Sequence, residues 1–175
     1  MRLLRRATTL LMATSVQAST PAYDVIVYGA SGFTGRLAVE YLTDRYATSG
    51  LKWAIAGRSR ERLEALKAAV PIIVADATDA ASVDAMVAQT KVLLNYAGSP
   101  YITKALPVVE ACARHGTHYV DVTGEVALHR ASLSKYDAKA KETGALIVHS
   151  CGYDSIPSDL GYLLASDAYQ ERYGA

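Results

Sequence analysis

The sequence predicts an α/β fold, a doubly wound parallel sheet of about six strands with helices on both faces. Three observations predict it. From Tyr23 onward, short runs rich in Val, Ile and Leu alternate without a break with longer amphipathic stretches. The apolar runs are nearly continuous, as strands covered on both faces must be. The connections are short, which favours a sheet wrapped by its own crossover helices. In chain order the strands read 23–28, 52–56, 72–75, 92–95, 118–122 and 145–149. The helices read 32–47, 60–69, 80–89, 102–115, 127–143 and 156–169. In the second helix Leu63, Leu66 and Val70 recur at helical spacing, with Arg60, Glu61, Arg62, Glu64 and Lys67 falling elsewhere. Asp79 and Ser155 stand where helix N-caps belong, and Gly116 and Gly144 where left-handed C-terminal residues belong.

At 175 residues the chain is the size of one α/β domain, long enough to bury a core. With 51% hydrophobic residues, 20% charged residues and a formal net charge of +1, it gives no reason to expect nucleic acid as partner. The two cysteines, Cys112 and Cys151, are too few for a disulfide framework or a zinc site and read as reduced thiols. No run reaches the roughly 20 apolar residues of a membrane-spanning helix.

Residues 1–22 read as an extension, and 23–175 as the domain. The extension carries Arg2, Arg5 and Arg6, and no acid precedes Asp24. That composition suits a mitochondrial presequence, a disordered extension or a start site placed too early (Met12 would leave a short lead-in), or, through Leu10-Leu11-Met12, a weak secretory signal.

The chemistry starts at Gly29-Ala30-Ser31-Gly32-Phe33-Thr34-Gly35, which leaves the first strand and opens the first helix. A strand–turn–helix with glycines at these places is the Rossmann-type dinucleotide loop. Gly29 permits the turn, Gly32 lets the main chain approach a pyrophosphate, and Gly35 lets the helix pack on the sheet. The N–H groups of Ser31 to Thr34 are expected to be free at the helix N-terminus, where they attract phosphate. The spacing, G-x-x-G-x-x-G, is one residue wider at its start than the commonest form. A tight turn without ligand is the bland alternative.

The end of the second strand selects the dinucleotide. An NAD site usually has an acid there for the ribose 2′-OH. Here Ala56-Gly57-Arg58-Ser59 offers no carboxylate. Arg58 can pair with a 2′-phosphate and Ser59 can add a hydrogen bond, so NADP is preferred over NAD. Arg60 and Arg62 read as solvated helix charges. Asp76, ending the third strand, either meets the adenine amine or is a plain loop acid. In Asn95-Tyr96-Ala97-Gly98, ending the fourth, the small Ala97 and Gly98 would let the nicotinamide ribose lie against the backbone. The cofactor candidates are therefore Gly29, Ser31, Gly32, Phe33, Thr34, Gly35, Arg58, Ser59, Asp76, Asn95, Ala97 and Gly98.

Other reactive residues form no recognisable constellation. Cys151 has no evident base beside it, and Cys112 falls mid-helix as a small core residue. His115, His118, His129 and His149 make no metal-spaced set, so no metal is expected. Tyr136 has Ala140 four residues on, so the Tyr-x-x-x-Lys pair of short-chain dehydrogenases is missing. No catalytic residue is assigned.

Residues 23–35, 56–59, 95–100, 119–125 and 151–161 together resemble the N-terminal NADP-binding domain of the saccharopine dehydrogenase-like oxidoreductases. The most specific pieces are Gly-Ala-Ser-Gly-Phe-Thr-Gly and Cys-Gly-Tyr-Asp-Ser-Ile-Pro-Ser-Asp-Leu-Gly. The resemblance extends to the trans-acting enoyl reductases and implies an oxidoreductase acting on lipid or glycolipid precursors. It also implies a second α+β region for substrate and subunit contacts, with no counterpart before Ala175. The chain is accordingly expected to be a cofactor domain lacking its substrate domain. A non-catalytic dinucleotide sensor or scaffold module is the alternative, and a fragment with an exposed apolar face is a third reading. Tyr153, Asp154 and Ser155 would face the nicotinamide, or serve capping and domain packing. By resemblance alone the location is the mitochondrion, the cytoplasm or a lipid-droplet surface; a need for NADPH argues against secretion. A homo-oligomer is left open.

Overall fold

The computed structural model describes residues 20–174. The presequence reading therefore falls almost wholly outside the described residues. The sheet contains β1 (Tyr23–Tyr28), β2 (Trp53–Gly57), β3 (Ile72–Val74), β4 (Thr90–Asn95), β5 (His118–Asp121) and β6 (Ile147–Val148). Their spatial order is β3-β2-β1-β4-β5-β6, and every pair is parallel. Strand order thus reverses at β1, where a crevice opens beyond the carboxyl ends. The register sets those ends side by side: Tyr28 is level with both Ala56 and Asn95, and Asn95 with Asp121.

Burial explains why the strand sequences are apolar throughout. Ile26 and Tyr28 of β1, with Ala54 and Ala56 of β2, join a core that includes Leu93, Val108 and Tyr119. The alternate residues Val27, Trp53 and Ile55 point to a second core with Val39, Leu42 and Leu63. The first is covered by α3 (Ala80–Val87) and α5 (Leu106–His115), the second by α1 (Phe33–Tyr46) and α2 (Arg60–Glu64). Each large apolar side chain taken from water in this way contributes about 1.5–3 kcal/mol.

Several boundaries differ from expectation, each for a local reason. α2 stops at Glu64 because its last turn tightens and Lys67 takes a left-handed φ of 51° ahead of Pro71. The helix expected over 102–115 divides into α4 (Tyr101–Lys104) and α5, because Pro107 at the start of α5 has no N–H to continue the ladder. β4 begins two residues earlier than expected, and β6, at the open edge, keeps only two paired residues.

Asp79 caps α3 by accepting from Ala81 N, and Gly116 and Gly144 end their helices at φ 73° and 80°. Ser155 takes the expected N-cap position of α7 (Ile156–Tyr173), but its side chain makes no capping bond. No residue of α7 is buried, and Leu163 and Leu164 are exposed. α6 (Val126–Thr143) packs beside α5.

Candidate functional site

The carboxyl ends of β1, β2 and β4 and the turn after β3 enclose a cavity of about 280 Å³. Its floor is the glycine turn. Gly29 sits at φ +81°, and a Cβ there would lie 2.5 Å from Ala97 N, so the β1 and β4 loops touch main chain to main chain. A Cβ on Gly35 would strike Gly29 O and come within 2.8 Å of Ala30 Cα, so α1 rests directly on the turn. Gly32 has φ −75° and faces the cavity. The turn at Gly29 and the close packing at Gly35 are as the glycine spacing predicts, and Gly32 stands on the cavity lining.

One detail corrects the sequence reading. The Gly32 N–H is not free, because it donates to Gly29 O at 2.9 Å and closes the turn. Among the described residues the N–H groups of Ser31, Phe33 and Thr34 meet no acceptor. α1 has no side-chain cap and no acid in its first turn. An anion is therefore the natural partner of this helix end. Ser31 and Gly32 line the cavity, whereas Phe33 is 84% exposed and Thr34 also points outward.

The side wall under β2 and β3 is charged. Arg58 and Arg62 both line it, with Asp76 and Thr78 opposite. Arg62 is thus a wall residue and not merely a solvated helix charge; Arg60 pairs instead with Glu64 at 3.8 Å. Asp76 proves to be both a loop acid and a wall residue: its Oδ1 accepts from Thr78 N at 2.9 Å and Thr78 Oγ1 at 2.8 Å. Those two bonds, with Arg58 nearby, hold its carboxyl below the usual range, so it stays ionised. Burial, reinforced by Asp76, pushes the Tyr28 hydroxyl up to about 12. Ser59 is off the wall, and its Oγ accepts from Arg62 N at 3.3 Å as the cap of α2.

The far wall is Tyr96, Ala97, Gly98 and Lys104, whose Nζ donates to Ser99 O at 2.9 Å. Three cations, Arg58, Arg62 and Lys104, thus face one carboxylate, a balance that suits a polyphosphate ligand. Asn95 does not line this wall. It is 1% exposed, and its amide is spent inside the fold, accepting from Ala97 N and donating to Tyr119 Oη, each at 2.9 Å.

Sequence reasoning missed Tyr28, Arg62, Thr78, Tyr96 and Lys104 on the wall, and a buried network behind it. Asp121 accepts from Tyr119 Oη at 2.8 Å, lies 2.7 Å from His149 Nδ1 and accepts from Ser150 N at 3.1 Å. The carboxylate of Glu125 accepts from Tyr101 N and Ile102 N at 2.8 and 3.0 Å, tying the loop after β5 to α4. Two signals were available. The first turn of a helix leaving β2 must lie beside the end of β2, and Tyr119 and Asp121 share a face by strand periodicity.

A wider hollow of about 570 Å³ lies at the opposite, amino ends of the strands, lined by residues such as Leu42, Trp53 and Pro71. Among the described residues it has no helix N-terminus and only Lys52 as a charge, and parallel sheets bind ligands at their carboxyl ends. The smaller crevice is the candidate site. No cluster that could hold a metal ion occurs among the described residues.

Known proteins bear on this geometry. Residues 25–148 match the family described as the saccharopine dehydrogenase NADP binding domain. A trans-acting enoyl reductase of Mycobacterium tuberculosis is 43% identical over 145 residues, covering 79% of this chain and 34% of that protein. The Mycobacterium leprae trans-acting enoyl reductase is 41% identical over 160 residues, covering 87% and 38%. The chain thus spans little more than a third of these relatives. Among solved structures, apo saccharopine dehydrogenase (L-Glu forming) from Saccharomyces cerevisiae superposes with a TM-score of 0.69 at 21% identity, covering 87% of this chain and 32% of that one. Citrobacter sp. triphenylmethane reductase complexed with NADP(H) gives 0.54 at 19% identity, covering 72% and 48%. These two likenesses are of fold. The glycine turn, the arginine wall and the match over 25–148 agree: the chain belongs to the saccharopine dehydrogenase family as its NADP-binding domain, and its cofactor is NADP.

Proposed function

We propose that this domain holds NADPH for an oxidoreductase that reduces the carbon–carbon double bond of an enoyl group in lipid or glycolipid metabolism. The observation that carries the reading is the 43% identity to a trans-acting enoyl reductase over 145 residues. The crevice supports it physically. Bound NADPH supplies a hydride, and the chain's own residues bind and orient the dinucleotide. The free N–H groups at the start of α1 take the pyrophosphate, while Arg58 and Arg62 take the 2′-phosphate on the β2 side. The Ala97–Gly98 wall carries the nicotinamide half towards β5 and β6. The substrate would enter from that side, where this chain supplies one wall and a further α+β region of a family-length protein supplies the other.

The test is a chimera in which this domain replaces the matching part of the Mycobacterium tuberculosis relative, assayed by loss of NADPH absorbance with an enoyl thioester. Turnover that vanishes on Gly32→Val supports the proposal. A folded chimera that binds NADPH but reduces no enoyl acceptor overturns it and favours a dinucleotide sensor.

A further inference from the structure

We infer that Tyr119 is a positioning residue of the NADP site, acting through Asn95 on the main chain of Ala97. The inference rests on the reading of the crevice as the dinucleotide site. Four groups form a ladder across β4 and β5: Ala97 N donates to Asn95 Oδ1, Asn95 Nδ2 donates to Tyr119 Oη, and Tyr119 Oη donates to Asp121 Oδ2, at 2.9, 2.9 and 2.8 Å. Asn95 is 1% exposed, Tyr119 0% and Asp121 2%, so water cannot substitute for any partner.

The direction of each bond follows from Asp121. Burial pushes its carboxyl up, but the bonds from His149, Tyr119 and Ser150 outweigh burial and keep it ionised. A carboxylate only accepts, so the single Tyr119 proton goes to Asp121. The phenol oxygen must then accept from the Asn95 amide nitrogen, which turns the Asn95 oxygen toward Ala97 N. All three bonds point the same way, and each polarises the next. The ladder therefore fixes both the orientation of Asn95 and the position of Ala97. Ala97 is the residue against which Gly29 is pressed, and it lines the cavity beside Gly98. A phenol two strands from the glycine turn thereby sets the wall of the nicotinamide half. The arginine wall on β2 takes no part in the ladder.

The experiment titrates the full chain and its Tyr119→Phe variant with NADPH and with 2′,5′-ADP, which fills only the arginine side. Phenylalanine keeps the ring and removes only the hydroxyl. The expected result is about a tenfold loss of NADPH affinity with 2′,5′-ADP unchanged within about twofold, the loss matching one charge-assisted hydrogen bond. Unchanged NADPH affinity, or a parallel loss for both ligands, overturns the inference, since it would mean no effect on the wall or a general loosening. If the native chain binds neither ligand, the crevice reading itself fails and the inference falls with it. Hydrogen exchange in the native chain is independent of the variant's folding. The Ala97 amide should exchange slowly and slow further with NADPH, and rapid exchange in both states overturns the inference.

Discussion

Replacing Arg58 with alanine should make the domain less able to tell NADPH from NADH. Arg58 follows β2 directly and lines the crevice, exposed to solvent, together with Arg62 and Asp76. A hydrogen bond to a charged group is worth about 1.5–3 kcal/mol, and solvent screening at an exposed arginine takes the lower end. The loss for NADPH is then about 1.5 kcal/mol, roughly tenfold in Kd. Arg62 still faces the phosphate, so binding persists. NADH has no 2′-phosphate and should change by less than about twofold, because the substitution removes nothing it touches. Calorimetric titration of parent and variant with both cofactors decides. Equal losses for NADPH and NADH, or a parent chain that binds both alike, would refute the assignment of this wall to the 2′-phosphate.

Gly32→Val should keep the fold at a modest cost in Tm, since residue 32 has an ordinary φ of −75° and its Cβ would meet Gly29 O at 3.2 Å, a tight contact that asks the turn to give slightly. It should abolish NADPH binding because the side chain fills the pyrophosphate approach; retained affinity by calorimetry would place the phosphates elsewhere. Gly35→Ala should instead cost about 1–3 kcal/mol or more, since its Cβ would meet main chain at Gly29 and Ala30, and an unchanged Tm would contradict that packing. Acid should destabilise the domain through Asp121, whose folded value lies below its ordinary 3.8. The stabilisation is present above the unfolded value and is lost as pH falls through the folded one, so Tm should drop below about pH 4. Asp121→Asn should flatten that drop, and an equally steep acid limb in the variant would exclude Asp121 as its source.

The parts of the site legible in the sequence are those made of backbone and surface charge. Gly29, Gly32 and Gly35 announce a turn because only glycine fits such approaches, and Arg58 follows directly from the end of a recognisable strand. Strand and helix order was legible for the same reason, since apolar periodicity reports burial on each face. What stayed hidden depends on pairing between distant elements. The Asn95 side chain looks like a ligand contact in the sequence, yet the register of β4 with β5 sets it against Tyr119 and turns it inward. Arg62 looks solvated until the short loop after Gly57 folds α2 back over the crevice. α2 is shorter than the helical spacing of Leu66 and Val70 suggests, because i→i+3 bonds tighten the turn after Glu64 and Lys67 takes a left-handed φ.

These two kinds of residue divide the crevice into halves held by different physics. The arginine side is exposed and built from single charges, so substitutions there should change cofactor preference with little effect on the fold. The Ala97 side is backed by buried, mutually oriented polar groups, where loss of one partner leaves another unsatisfied at a cost of about 1–3 kcal/mol. On the proposed orientation, discrimination between NADPH and NADH is open to change by surface substitution, whereas the placement of the nicotinamide half is bound to the stability of the sheet. Such a division would suit the reductase role proposed above. A hydride transfer tolerates small errors in how the adenine end is gripped, but needs reacting atoms about 3–3.5 Å apart at the other end. The buried network lies under the half of the site to which the proposed orientation assigns the nicotinamide.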